Sequence, residues 1–211
     1  MRNLDLSLYL VLDPGLCATL GMVETARAAV AGGATVVQLR DKHADTARMI
    51  ETGRALKVAL SGTGAVLIVN DDVEAAIAIG ADGLHIGQDD IDAITARQLI
   101  GPDMILGLSA ETAALAAAID PAAVDYAGLG PVFATATKPD HKPALGFEGL
   151  SRLVKVCPVP VVAIGGLKSA HVGDVLAAGA DGLAVVSAIC GTPDPQLAAR
   201  EIAENMIKAR T

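Results

Sequence analysis

Short apolar runs alternate with alanine-rich amphipathic stretches from one end of the chain to the other. Three phrases show the rhythm: "AGGATVVQLR" from Ala31, "AIGADGLHIG" from Ala78 and "AAGADGLAVVS" from Ala177. In each, an alanine-rich stretch reaches a glycine and an apolar run follows at once. Glycine just past a helix can take the left-handed conformation that satisfies the last carbonyls, and an unbroken apolar run suits a strand buried on both faces. The repeating unit is therefore helix, glycine, buried strand.

Extending the reading outward predicts strands at Leu8 to Leu12, Thr35 to Leu39, Ala65 to Val69, Gly83 to Ile86, Ile105 to Leu108, Val124 to Leu129, Pro160 to Ile164 and Gly182 to Val186. Amphipathic helices are predicted at Glu24 to Ala31, Thr46 to Leu60, Ala93 to Leu99, Thr112 to Ile119, Ala170 to Ala178 and Pro195 to Ala209. Eight units in 211 residues leave roughly 26 residues each, enough for a small eightfold barrel. The expected fold is α/β, a compact (β/α)8 TIM barrel forming a single domain over residues 1–211. A doubly wound open sheet is the alternative arrangement of the same elements.

Composition narrows the function. With 52 % hydrophobic residues the chain can bury a large core, and a net charge of -8 disfavours nonspecific attraction to nucleic acid or anionic membrane. An anionic ligand must then be met by a local cluster of cations. No apolar run is long enough to span a bilayer, and "MRNLDLSLYLVLDPG" lacks the apolar centre and cleavage site of a signal peptide, so a cytoplasmic setting is expected. Cys17, Cys157 and Cys190 are odd in number, widely spaced and form no CxxC pair, which reads as reduced, structural thiols.

In a barrel the strand ends and the loops after them converge on one face. Here the polar residues fall at those ends. Gln38, Arg40 and Lys42 alternate in "QLRDK" and so point one way from an extended stretch. The long loop "GLGPVFATATKPDHKPALG" from Gly128 adds Lys138, two threonines, His141 and Lys142. Three converging cations suit a diphosphate, each close contact contributing about 4 kcal/mol before desolvation at an effective dielectric near 20. Asn70 and Asp71 close the third strand, Asp89 and Asp90 the fourth. These acids fit helix capping, with Asp71 and Glu74 spaced as a capping box, and they also fit a magnesium ion shared with substrate phosphate. Gly165 and Gly166 in "AIGG" offer unshielded amides or a plain tight turn, and "VVSAI" leads toward a helix start at Ser187, where barrels of this class often hold phosphate.

Eight ordered blocks, "YLVLDP", "VVQLRDK", "VND", "ADGLHIGQDD", "GLS", "DYAGLGPVFATATK", "PVVAIGG" and "DGLAVVSAI", resemble the thiamine phosphate synthase family over nearly the whole chain. That family joins 4-amino-2-methyl-5-hydroxymethylpyrimidine diphosphate to 4-methyl-5-(2-hydroxyethyl)thiazole phosphate, or its carboxylated form, and releases pyrophosphate.

The resemblance implies catalytic roles for Arg40, Lys42, Ser109 and Lys138. It implies substrate contacts from Gln38, Leu39, Arg40, Asp41, Lys42, Asn70, Ser109, Thr135, Ala136, Thr137, Lys138, Gly166, Val186 and Ser187. Gln38 and Asn70 would face the pyrimidine, the three cations its diphosphate, and Thr135 to Thr137 with Gly166, Val186 and Ser187 the thiazole phosphate. Asp71 and Asp90 would hold the Mg2+ cofactor. The partners implied are these two small molecules, without nucleic acid or membrane, and a homo-oligomer stays open. Two positions depart from the family pattern: Glu111 stands where relatives often carry histidine, and Leu12 where they carry threonine. A thiazole tautomerase-like isomerase needs no diphosphate grip, and a noncatalytic phosphate-binding barrel would release no pyrophosphate; both remain as rival readings.

Overall fold

The computed structural model describes residues 4–135 and 143–211. Its strands are β1 (Leu8–Leu12), β2 (Val36–Leu39), β3 (Val66–Asn70), β4 (Gly83–Ile86), β5 (Ile105–Ala110), β6 (Tyr126–Leu129), β7 (Val161–Ile164) and β8 (Gly182–Val185). Each is followed by one α-helix: α1 (Met22–Ala31), α2 (Thr46–Leu60), α3 (Val73–Ile79), α4 (Ala93–Ile100), α5 (Ala113–Ala117), α6 (Gly146–Val154), α7 (Val172–Ala177), which a 3-10 turn at Ser169–His171 precedes, and α8 (Pro195–Arg210). Successive strands pair in parallel and β8 closes on β1, so the sheet is a closed barrel and the open-sheet alternative falls away. Two helices that the periodicity did not suggest, α3 and α6, are short and sit beside a polar strand end and the long loop.

Strand residues alternate between two surroundings. Leu8, Leu10, Leu12, Val37, Leu39, Leu67 and Val69 face outward into the core shared with the helices. Tyr9, Val11, Val36, Ile68, Ile105, Tyr126, Val162 and Ala184 fill the interior of the barrel. This period of two is the physical basis of the continuous apolar runs, since both faces of every strand are buried.

The aspartates of the two "ADGL" phrases, with Asp125 of "VDYA", have a definite structural task at the start of the strands. Asp82 accepts from the Leu67 amide at 2.8 Å, Asp125 from Leu106 at 2.8 Å and Asp181 from Val161 at 2.7 Å, each through one carboxylate oxygen. The amide of each aspartate donates in turn to the carbonyl of the same residue. At the first pair Thr35 takes the aspartate's place, its hydroxyl bonded to both the carbonyl and the amide of Leu8. An acceptor ahead of every even-numbered strand thus clamps the preceding odd one. Asp125 also pairs with Arg97 at 2.6 Å, while Arg97 donates to the carbonyls of Ala123, Gly101 and Met104.

All three cysteines are free thiols, as their spacing suggested. Among the described residues no helix is long and apolar enough to cross a membrane.

Candidate active site

The carboxyl ends of the strands enclose a cavity of about 240 Å3. Gln38, Arg40, Lys42, Asn70, Asp71, Asp90, Ser109, Thr135, Gly166, Val186 and Ser187 all line it. Seven loops far apart in sequence therefore contribute to one space, because parallel closure puts every strand end on the same rim.

Two residues expected to touch substrate do not line the cavity. The Leu39 side chain is fully buried among the helices, since it lies between inward-facing Gln38 and Arg40 on an alternating strand. Asp41 folds back on its own loop, accepting from the amides of His43 at 3.0 Å and Ala44 at 3.2 Å. Ala136, Thr137 and Lys138, with His141 and Lys142, lie outside the described residues.

Helix capping does not account for the key acids. Asp72 caps α3, accepting from the Ala75 amide at 2.8 Å, and Asp92 caps α4, accepting from Thr95 at 3.0 Å. The capping box proposed for Asp71 is not formed, the cap falling one residue later as a simple one at Asp72, and neither Asp89 nor Asp90 caps a helix. Asp71 instead adopts a left-handed backbone, φ 62°, which turns its carboxyl toward that of Asp90. Asp90 is positioned by the Gly87 amide, which donates to it at 2.7 Å.

Burial, followed by the hydrogen bond to Asp90 and its negative charge, pushes the Asp71 carboxyl up to about 6. Lys42 and Arg40 act in the opposite sense on the same group, which places both cations in the electrostatic reach of the acid pair. Among the described residues neither cation is in a salt bridge with a carboxylate. Two adjacent carboxyls facing open space have the donor chemistry of a divalent-cation site completed by ligand oxygens. Consistent with so sparse a donor set, no group of three or more His, Cys, Asp or Glu suited to a metal occurs among the described residues.

The glycine pair serves the loop after β6. Gly165 and Gly166 have φ of 105° and 63°, and a Cβ on either would strike Pro131 or Phe133 within 3 Å. The Val132 and Phe133 amides donate to the carbonyls of Ile164 and Gly165, so the long loop is laced to the seventh strand end. Across from it, Val186 to Cys190 forms one helical turn closed by the Ile189 and Cys190 amides; the helix itself starts later, at Pro195 and not at Ser187.

The sequence reading overlooked three residues beneath this mouth: Tyr9, His85 and Tyr126. Gln38 Nε2 donates to the Tyr9 hydroxyl at 2.8 Å, the two tyrosine hydroxyls are 2.8 Å apart, Tyr126 lies 2.9 Å from His85 Nδ1, and His85 Nε2 lies 2.9 Å from Ser109 Oγ. Burial lowers the His85 pKa to about 4, so the ring is neutral at ordinary pH. Burial likewise raises both tyrosines, keeping them protonated. The available signal was parity: Tyr9, His85 and Tyr126 are polar groups at inward positions of otherwise apolar strands. Gln88 also lines the cavity and donates to the Ser109 carbonyl at 2.6 Å.

A closed parallel barrel whose rim gathers on one cavity a carboxyl pair and cations that, among the described residues, form no salt bridge defines the (β/α)8 class, with that cavity as the candidate active site. The family model described as thiamine monophosphate synthase matches residues 8–189. A thiamine-phosphate synthase of Xanthobacter autotrophicus is 50% identical over 209 residues, covering 99% of each chain. One from Laribacter hongkongensis is 48% identical over 202 residues, covering 95% of each. Among solved structures, a thiamine phosphate pyrophosphorylase from Pyrococcus furiosus superposes with a TM-score of 0.89 at 35% identity, over 99% of this chain and 98% of that one. The chain belongs to the thiamine-phosphate synthase family and is a transferase.

Proposed function

We propose that this chain joins 4-amino-2-methyl-5-hydroxymethylpyrimidine diphosphate to 4-methyl-5-(2-hydroxyethyl)thiazole phosphate, or its carboxylated form, releasing pyrophosphate. The observation that carries the reading is the convergence of Arg40, Lys42, Asp71 and Asp90 on one cavity. In the proposed reaction the bond from the exocyclic methylene to the diphosphate oxygen breaks, its electron pair leaves with pyrophosphate, and the thiazole nitrogen attacks the methylene. The pyrimidine ring nitrogens and amino group spread the developing positive charge.

Arg40 and Lys42 stabilise the departing anion by charge, and Lys138 of the long loop is assigned the same task. Asp71 and Asp90 are the residues that would hold magnesium, which when bound supplies a Lewis acid on diphosphate oxygens. Gln38 and Asn70 orient the pyrimidine, while Thr135, Thr137, Gly166, Val186 and Ser187 receive the thiazole phosphate. The low-dielectric barrel interior beneath limits access of water to the cation.

The test mixes purified protein with both substrates, with magnesium or excess chelator, and measures thiamine phosphate and pyrophosphate. Equal amounts of the two products, lost with chelator, are expected. Binding of both substrates without pyrophosphate release would overturn the reading in favour of a noncatalytic barrel. Lys138→Ala is expected to slow turnover far more than it weakens thiazole phosphate binding.

A further inference from the structure

We infer that Gln38, Tyr9, Tyr126 and His85 form a one-way hydrogen-bond chain that fixes the Ser109 hydroxyl as a donor into the active-site cavity. The direction follows from counting protons. The Gln38 amide nitrogen only donates, so the Tyr9 oxygen accepts there and its one proton must go to the Tyr126 oxygen. The opposite arrangement would leave the Tyr9 proton without an acceptor inside the barrel, and Tyr9 is only 2 % exposed, so burial makes that loss costly. The Tyr126 proton then goes to His85 Nδ1, which leaves the imidazole proton on Nε2. That proton is donated to Ser109 Oγ. The Ser109 hydroxyl has received its bond from histidine, so its own proton points to whatever acceptor occupies the cavity.

The space for this chain is built into two strands. A Cβ on Gly107 would lie 2.2 Å from the Tyr126 ring, 2.4 Å from its hydroxyl and 2.5 Å from His85 Nδ1. A Cβ on Gly128 would come within 3.3 Å of the imidazole. Gln38 is 3 % exposed and both tyrosines are buried, so no solvent competes for these bonds along most of the chain.

The inference deepens the proposed function and rests on it for one point, the identity of the acceptor. In that reaction the diphosphate oxygen that gains negative charge as its bond to carbon breaks is the acceptor this donor suits. A serine whose proton was committed to histidine would present a lone pair to the same oxygen and repel it. Tyr9, Tyr126 and His85 are positioning residues, acting through Ser109.

The tautomer is read directly in a long-range proton–nitrogen NMR spectrum of the nitrogen-labelled free protein, with His85 assigned by the signals missing in His85→Gln. A His85 ring protonated on Nε2 is expected; one protonated on Nδ1 overturns the chain's direction. Tyr126→Phe removes the donor to Nδ1 and should release the tautomer, lowering kcat about tenfold or more with KM for both substrates little changed. Tyr9→Phe leaves the Tyr126 proton on histidine and should cost about threefold or less. Equal losses in the two phenylalanine variants would overturn the proposal and indicate simple packing. If Tyr126→Phe does not fold, the wild-type spectrum still decides. Because that spectrum needs no substrate, its outcome is independent of whether pyrophosphate is released.

Discussion

The carboxyl of Asp71 faces the carboxyl of Asp90 across neighbouring strand ends, near enough that Asp90 helps to raise it to about 6. Asp71 reaches this position through a left-handed backbone that costs a non-glycine residue on the order of 1–3 kcal/mol. Neither group caps a helix, so both strain and like-charge proximity oppose the fold rather than support it. Such an arrangement persists where function requires it.

Asp71→Asn is expected to stabilise the ligand-free protein, because asparagine tolerates the same backbone and carries no charge to repel Asp90. The same change should lower magnesium-dependent turnover by about a hundredfold or more. Urea unfolding and pyrophosphate release check the two opposite signs. A variant that loses stability and keeps its turnover would refute the role given to this pair.

The pH dependence of stability should depend on two groups with opposite slopes. His85 titrates at about 4 in the fold against 6.5 when free, so between those values only the unfolded chain gains the proton and stability falls as pH falls. Asp71 titrates at about 6 against 3.8, so over its window only the folded chain keeps the proton and stability falls as pH rises. The two oppose one another in the wild type. Asp71→Asn removes the Asp71 contribution and leaves that of His85 in both proteins, so the variant's stability relative to wild type should drop as pH falls from about 6 to 3.8. Unfolding midpoints taken across the window, as variant-minus-wild-type differences, cancel the other carboxylates.

Gly107→Ala puts a methyl group where the Tyr126 hydroxyl meets the imidazole. Overpacking of this kind costs about 1–3 kcal/mol, and here it also separates the hydrogen-bonded rings. Thermal unfolding should show the loss of stability, and turnover of the folded fraction should fall with it. Full turnover in Gly107→Ala would mean that the ring contact is dispensable.

Asp82→Ala and Asp181→Ala remove clamps at the opposite end of the barrel from the cavity. Each leaves a strand amide without its carboxylate and should cost about 1–2 kcal/mol, with kcat and KM unaltered. Asp125→Ala should cost more, since Arg97 loses its ion pair as well. Denaturant midpoints and steady-state kinetics on the same samples separate the two effects.

The eight strands were legible in the sequence because burial on both faces of a parallel sheet leaves a local mark: an unbroken apolar run after a helix-ending glycine. Gly83 to Ile86 emerges with the predicted bounds for that reason. The gathering of polar residues at the strand ends was legible too, since they interrupt apolar runs there, as Arg40, Asp71 and Ser109 do. Nothing local says which of two adjacent aspartates caps a helix and which turns to the cavity; a single backbone torsion at Asp71 decides it. Nothing local joins Tyr9 to Tyr126, 117 residues apart. Periodicity is a property of a few consecutive residues, whereas closure and register of the barrel determine which inward side chains meet, and only the folded sheet holds that information.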